Sequence, residues 1–448
     1  MARLSIFILL LAGFLVGLNA FSQPEEIVEK TEREKIVFWH FWGGEERKVV
    51  QEIVRRFHES QDRYWVEEIP VPGQNLDMKF YMALAGGDFP DLVNQDDQVV
   101  AQWAHSGVIL PLRKLVADEN EYRQLEKWLL PTAKKIGSYQ GKLYALCNAL
   151  DIRALIFRND VLNGRDPPQT IDEFDAIAKR SHDDSQSILF LPDDRRLWAW
   201  GVAFGGSFYD ETTGEVTVNH PRIVEALKWM VSYTRLHGLE NIRAFRSTNR
   251  ETGASSMILD GRYGMMMDGQ WRIPELDRSK PPLDYGVVPL PFPKGGKPNA
   301  GWVNGNFFVV PRGCRNPLGA WEFMKFWSGF GGNERHAAIT ATSGGWIPAS
   351  RKVVVEPAFQ DFLEQHPKFR IFVELADSPD QIPTPPVPIQ SYFFERLNRA
   401  AEEALSLSKT PKQALDDTNK DIQRRLDNVL KRHRADKPRE SRTVFSVK

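Results

Sequence analysis

Four tryptophans stand beside glycines at the ends of apolar runs, and their chemical use is the plainest in this sequence. Trp42 precedes Gly43-Gly44, Trp271 follows Asp268-Gly269-Gln270, Trp302 follows Gly301, and Trp346 follows Gly344-Gly345. In open α/β sheets, ligands bind beyond the carboxyl ends of strands. A Trp beside Gly there is held by backbone that can approach a ligand closely, and its flat indole face suits the apolar C–H face of a sugar ring, while carboxylates and amides accept hydroxyl protons. Core packing is the competing use of each ring. The chain holds 13 Trp, and surplus indoles often line a site.

Other chemistries lack their residues. The nine His include no HExxH pair, and Cys147 and Cys314 lie far apart, so no zinc pattern exists. Asp88, Asp91, Asp96 and Asp97 lack the Gly and terminal Glu of a calcium loop and read as a solvated turn beside a strand end. There is no GxSxG elbow and no phosphate-binding Gly-Lys-Ser/Thr, and Gly295-Gly296 reads as a turn. No cofactor and no metal are expected. A carboxylate pair for glycoside hydrolysis leaves no signature among 59 acids. A secreted carbohydrate-active enzyme, with a general acid buried against Trp271 or Trp302, therefore stays as an alternative. Lys+Arg 58 against Asp+Glu 59 gives a formal charge of −1, which excludes the basic footprint of a nucleic-acid binder. Whether the two cysteines pair is open.

The elements that must position these residues alternate. Residues 35–42 are β-branched and aromatic and predict a buried strand. A helix follows from about Glu45, with Val49, Val50, Ile53, Val54 and Phe57 on one face. A strand over 64–71, a helix over 75–85 stopped by Gly86-Gly87, and a short strand from Asp91 continue the pattern, which argues for βαβ units and a parallel sheet. Residues 141–147 and 154–157 read as two strands flanking a polar stretch, 148–153. Thr170 and Glu173 form a capping box. Helices are expected over 221–237, 318–327, 391–406 and 411–433, and short strands over 263–267, 285–288 and 307–310.

The 448 residues predict two or three domains. Arg3, the apolar run from Leu4 to Leu18 and Asn19-Ala20-Phe21-Ser22 predict a signal peptide over 1–22, cleaved before Gln23. About 15 apolar residues fall short of the roughly 20 that span a bilayer; an uncleaved N-terminal membrane anchor is the alternative. No Cys lies near the cleavage site, so a lipoprotein is not expected. The mature protein is expected to be periplasmic or extracellular, with a flexible leader over 23–34 and a charged tail over 434–448.

The motifs, in order, resemble the extracellular solute-binding proteins of ABC importers, the class that contains maltose-binding protein. Ala83-Leu-Ala-Gly-Gly-Asp-Phe-Pro-Asp-Leu-Val93 and Trp103-Ala-His-Ser-Gly-Val-Ile-Leu-Pro-Leu112 are similar to the family's first signature and its continuation. The runs 141–160, 168–174, 260–271, 344–349 and 412–415 complete the order across roughly residues 35–431. The resemblance implies an α/β fold of the periplasmic-binding type (type II-like), two lobes joined by hinge strands and closing on ligand. The lobes it implies are 35–148 plus 292–329 and 149–291 plus 330–433, with crossings near Asn148–Asp151 and Pro289–Pro293. Carried over residue by residue, the ligand-binding set is Trp42, Glu45, Gln95, Asp97, Asp151, Trp271, Trp302, Trp346 and Tyr392. The function implied is carbohydrate capture by a non-enzymatic monomer that delivers it to the membrane permease subunits of an ABC importer. A solute sensor and a glycerol-phosphate binder are alternatives on the same lobes.

Two departures bear on the site. Cys147 stands where the family commonly has Pro, and residues 149–153 are more charged than a plain sugar site needs. Arg153 either pairs internally with Asp151 or grips an acidic group of the ligand.

Overall fold

The computed structural model describes residues 32–71, 76–180, 188–248 and 254–436. The expected signal segment, the leader up to residue 31 and the tail from residue 437 lie outside the described residues.

Strand β1 (Glu34–His40) is flanked in parallel by β2 (Tyr64–Pro70) and β3 (Leu92–Asp96). Helix α1 (Gly44–Ser60) crosses between β1 and β2, with Glu45 and Glu46 in its first turn, where the helix dipole favours acids. Its buried stripe is Val50, Ile53, Val54 and Phe57. The all-parallel expectation needs correction at this point. The next strand against β3 is β7 (Gly301–Val309), which runs antiparallel. It returns from a distant part of the sequence rather than through a crossover helix.

The largest departure is β4, a single strand from Leu146 to Arg158 where two strands and a polar connection were expected. Its first half, Leu146 to Ile152, pairs with β7. Its second half pairs with β5 (Met265–Gly269) and β6 (Tyr285–Val288). Residues 149–153 of the polar stretch are thus ladder residues at the point where β4 changes partners, and Asn148 sits at a bulge. β7 does the same: Gly301 and Trp302 pair with β8 (Gln381–Ile382), while Val303 to Phe308 pair with β4. The continuous order is β6-β4-β7-β3-β1-β2. Where β4 and β7 cross, a Cβ on Gly305 would lie 2.3 Å from the Ala149 carbonyl oxygen, so only glycine fits there.

Two apolar clusters flank this crossing. The first draws mainly on residues 36–156 and 303–376, with Ile258, Met266, Ile273, Leu276 and Tyr285 at its border. The second draws on 155–302 and 387–426. It includes helices α2 (Leu197–Ala203), α3 (Pro221–His237), α5 (Gln390–Leu405) and α6 (Pro411–Asp436). Helix α4 (Pro317–Ser328) packs in the first. Leu290, Ala300 and Trp302 still belong to the second cluster. Cluster membership therefore changes within β7, whereas the resemblance implies a crossing near Pro289–Pro293. Residues 330–376, expected with the second lobe, pack into the first cluster. The physical reason is aromatic: Trp346 lies 5.4 Å from Trp42 and 5.8 Å from Trp327, ring centre to ring centre.

Among the described residues, no helix is long and apolar enough to cross a membrane. Cys147 and Cys314 are both free. Burial raises the Cys147 thiol well above its ordinary value.

Candidate binding site at the crossing strands

Strand register assembles the polar groups. Asn306 lies opposite Asp96, Asn304 opposite Asp151, and Arg153 opposite Gly269. Residues two apart on a strand share a face. Asp151 and Arg153 on β4, and Asn304 and Asn306 on β7, are such pairs. Asn306 Nδ2 donates to Asp96 Oδ1 at 2.8 Å. Gln270, just past β5, donates from Nε2 to Asp151 Oδ1 (2.9 Å) and to the Leu150 carbonyl (3.1 Å), and its Oε1 accepts from the Ile152 N–H (3.1 Å). The second strand set is thereby fastened to β4 at the crossing. Arg272 Nε donates to Asp268 Oδ2 at 2.6 Å, and Arg196 stands 3.6 Å from Asp268 Oδ1.

Asp97 is fully buried, Asp96 and Asp151 are half-buried, and the three carboxylates influence one another. Burial, then the charge of Asp151, pushes the Asp96 carboxyl up to about 6 despite Arg153, Asn306 and Arg195. Burial and Asp96 raise Asp97 well above its ordinary value; the Gly305 N–H, 3.4 Å from its Oδ1, opposes them, and its Oδ2 has no partner. Burial also raises Asp151, opposed by Arg153 and Gln270.

Arg153 is 6% exposed. Its guanidinium carbon lies 4.6 Å from the centre of the Trp271 ring and 5.3 Å from that of Trp302. Its Nε and Nη1 are buried without a hydrogen-bond partner. Of the two readings of Arg153, the internal pair with Asp151 is not formed: Asp151 Oδ1 accepts from Gln270, and no acceptor reaches Arg153 Nε or Nη1. Loss of solvent, then Arg196, lowers the guanidinium to about 10; Asp151, Asp268 and Asp96 only partly oppose them.

The nine residues carried over from the resemblance fall in three places. Asp97, Asp151, Trp271 and Trp302 surround the crossing. Trp302 is buried, its Nε1 donating to Thr384 Oγ1 at 3.3 Å. Trp42 and Trp346 are 3% and 6% exposed and pack with Trp327 in the first cluster, behind the site. The remaining three point elsewhere. Glu45 is exposed and bonds Lys48. Strand alternation turns Gln95 to the face opposite Asp96, where its Oε1 accepts the Asp96 N–H. Tyr392 donates to Asp421 Oδ2 at 2.5 Å, joining α5 to α6.

The Gly-flanked pattern has a concrete cause at two of the four tryptophans. A Cβ on Gly269 would meet Trp271 ring atoms at 2.1–2.6 Å, and one on Gly344 would meet the Trp346 ring at 2.4–2.6 Å. Each indole lies against bare backbone. Gly269→Ala should therefore displace the Trp271 ring while leaving the strand intact. The expected loss of stability in urea is about 1–2 kcal/mol, with a clear change in the Trp emission of the free protein. An unchanged spectrum would show that the ring is not seated on Gly269.

Sequence reasoning passed over Asp96, Gln270, Asn304 and Asn306. A usable signal was present: Asn304 and Asn306, like Asp151 and Arg153, alternate with apolar residues at the strand period of two, marking a polar face on an otherwise buried strand.

Known proteins agree with this architecture. The profile of the bacterial extracellular solute-binding proteins matches residues 52–370. The maltotriose-binding protein of Pyrococcus abyssi is 26% identical over 336 residues, covering 73% of this chain and 69% of that one. The galactooligosaccharide-binding protein of Bacillus subtilis is 19% identical over 434 residues, covering 93% and 96%. A solved structure of CpMnBP1 with mannotriose bound superposes with a TM-score of 0.73 at 24% identity, over 86% of this chain and 99% of that one. That likeness gives the fold as α/β, two lobes of the periplasmic-binding type. The profile match spans most of the chain, and the chain belongs to the family of bacterial extracellular solute-binding proteins.

Proposed function

We propose that this protein captures a carbohydrate between its two lobes and delivers it to an ABC-type importer. The observation that carries the reading is the array at the crossing: the carboxylates Asp97 and Asp151 and the amide of Asn304, set beside Trp271 and Trp302. Sugar hydroxyls both donate and accept, and they need such groups beside an apolar surface. The maltotriose- and galactooligosaccharide-binding relatives support an oligosaccharide as cargo. In this reading Trp42 and Trp346 back the wall of the site. Glu45, Gln95 and Tyr392, bonded elsewhere, take no part in it.

The rigid bodies we infer follow the two apolar clusters, with β4, β7 and the segment between residues 376 and 387 as the three crossings. Closure about them is a hinge motion that presents the liganded form to permease subunits. The protein is exported by cleavage of its first 22 residues, acts as a monomer and performs no chemistry on its ligand.

The test uses mature protein from Gln23 onward, a panel of neutral and acidic mono- and oligosaccharides, and Trp fluorescence with thermal shift. The expected result is saturable binding of at least one saccharide, recovered unchanged by chromatography after overnight incubation, and at least tenfold weaker in Trp271→Ala. Turnover of the saccharide would overturn the receptor reading in favour of an enzyme. Binding of none would overturn the carbohydrate assignment.

A further inference from the structure

Within the carbohydrate reading, on which this inference rests, Arg153 is the anomaly. A charged group withdrawn from water normally keeps a counter-ion and satisfies its donors, because an isolated buried charge is strongly unfavourable. Among the described residues, Arg153 forms no ion pair and leaves two donors unsatisfied, although Asp151, Asp268 and Asp96 stand near enough to favour its charge. Two indoles stand against its guanidinium, and neither supplies an acceptor. The donors Nε and Nη1 stand on different edges of the planar group, each on an edge it shares with Nη2, and both are unpartnered. One oxygen each of Asp151 and Asp96, and both of Asp268, accept from other donors, and none reaches Arg153. Asp151 accepts from Gln270, Asp96 from Asn306, and Asp268 from Arg272. The lowered guanidinium points the same way: its charged form is under-stabilised where it stands, with Arg196 adding to the positive field.

We propose that Arg153 is a ligand-binding residue whose guanidinium, through the edge that one of its unpartnered donors shares with Nη2, takes the two oxygens of a carboxylate, so that the cargo is an acidic oligosaccharide containing uronate residues.

A guanidinium edge and a carboxylate match in spacing, plane and charge, which a neutral diol matches only in spacing. Trp271 and Trp302 then act as positioning residues. They hold the guanidinium by its faces and leave its edge to the ligand. The highly charged stretch 149–153 then has a use for each of its ions. Asp151 fixes Gln270 and with it the start of the Trp271 turn, while Arg153 meets the ligand.

The experiment measures, by calorimetry on the mature protein, the affinities of di-, tri- and tetrasaccharides of galacturonate, glucuronate and mannuronate. Each is compared with its carboxyl-reduced, neutral counterpart; sn-glycerol 3-phosphate is included as a non-saccharide anion. At least one uronate oligomer is expected to bind 30-fold or more tighter than its reduced counterpart. Arg153→Met should remove that preference, and Arg153→Lys should retain only a few-fold preference, because it keeps the charge without the fork. Ligand-free Arg153→Met should melt no lower than wild type, since the substitution removes an unpaired buried charge. A structural ion pair would give the opposite sign.

Neutral oligosaccharides binding as tightly as acidic ones would overturn this inference and leave the carbohydrate reading standing. So would an acid preference that survives in Arg153→Met. Tightest binding of the phosphate ester, or no binding by any saccharide, would overturn both.

Discussion

Asp91→Ala should destabilise the first lobe by about 4 kcal/mol, measured as a displaced urea unfolding midpoint followed by Trp fluorescence. Asp91 is 4% exposed, and its carboxylate is shared among three backbone N–H groups. Oδ2 accepts from Val37 at 2.9 Å, and Oδ1 accepts from Arg315 and Asn316, each at 2.8 Å. One side chain thus ties the middle of β1 to the turn that begins α4. Asn316 extends the link, its Oδ1 accepting from Gly319 as the helix cap. Hydrogen bonds to a charged acceptor are each worth roughly 1.5–3 kcal/mol, and removing the acceptor strands buried donors at about 1–3 kcal/mol apiece. The acid also faces the positive end of α4. Asp91→Asn, which keeps a single acceptor oxygen, should lose about half as much. A change below about 1 kcal/mol for the alanine variant would mean that water replaces the carboxylate.

Asp91 also shows where sequence reasoning reached and where it stopped. The acidic run 88–97 reads as one solvated turn, because charge in a short Gly- and Pro-containing stretch usually faces water. In the fold it divides. Asp88 is exposed, Asp91 is an interior anchor, and Asp96 and Asp97 stand at the crossing strands. Nothing local distinguishes the four, since their partners arrive from Val37 and from residues 305–316. Elements with local signals were legible almost to the residue. The capping box at Thr170 and Glu173 forms, and the helix expected over 221–237 is α3. The stripe of α1 matches its spacing. What failed was non-local. Strand β4 was cut in two because Asn148, Asp151 and Arg153 resemble a loop, although each half of the strand finds its own ladder partners. In the fold the Gly–Trp pattern has another use: at Gly269 and Gly344 the missing Cβ makes room for the indole itself. The pattern could not separate Trp271, at the crossing, from Trp346, whose partners Trp42 and Trp327 come from distant segments.

The acids at the crossing make a second prediction, opposite in sign to the first: Asp96→Asn should stabilise the ligand-free protein near pH 7.5 by about 2 kcal/mol, and the gain should fade toward pH 4. In the folded protein this carboxyl titrates at about 6, raised from 3.8 mainly by burial and by Asp151. A group raised on folding contributes stability that is complete below its unfolded value and lost as pH climbs through the folded one. Above about 6, the wild-type fold holds an ionised Asp96 at a disadvantage. Its size is roughly 1.4 kcal/mol for each tenfold weakening of the acid on folding, reduced by the solvent that still reaches it. Asparagine resembles the protonated acid and removes that disadvantage. Comparing variant with wild type at each pH matters, because burial lowers His40, His58, His105, His237 and His336, with His58 down to about 4. Those residues withdraw stability as pH falls from 6.5, and the subtraction cancels them. A gain that is flat between pH 4 and 7.5 would show that Asp96 is not raised. The binding consequence follows from charge. An ionised Asp96 repels an acidic group placed on Arg153, so Asp96→Asn should tighten a uronate ligand and weaken a neutral one that relies on the carboxylate as acceptor. A residue whose removal stabilises the empty protein while changing affinity is kept for the ligand rather than for the fold.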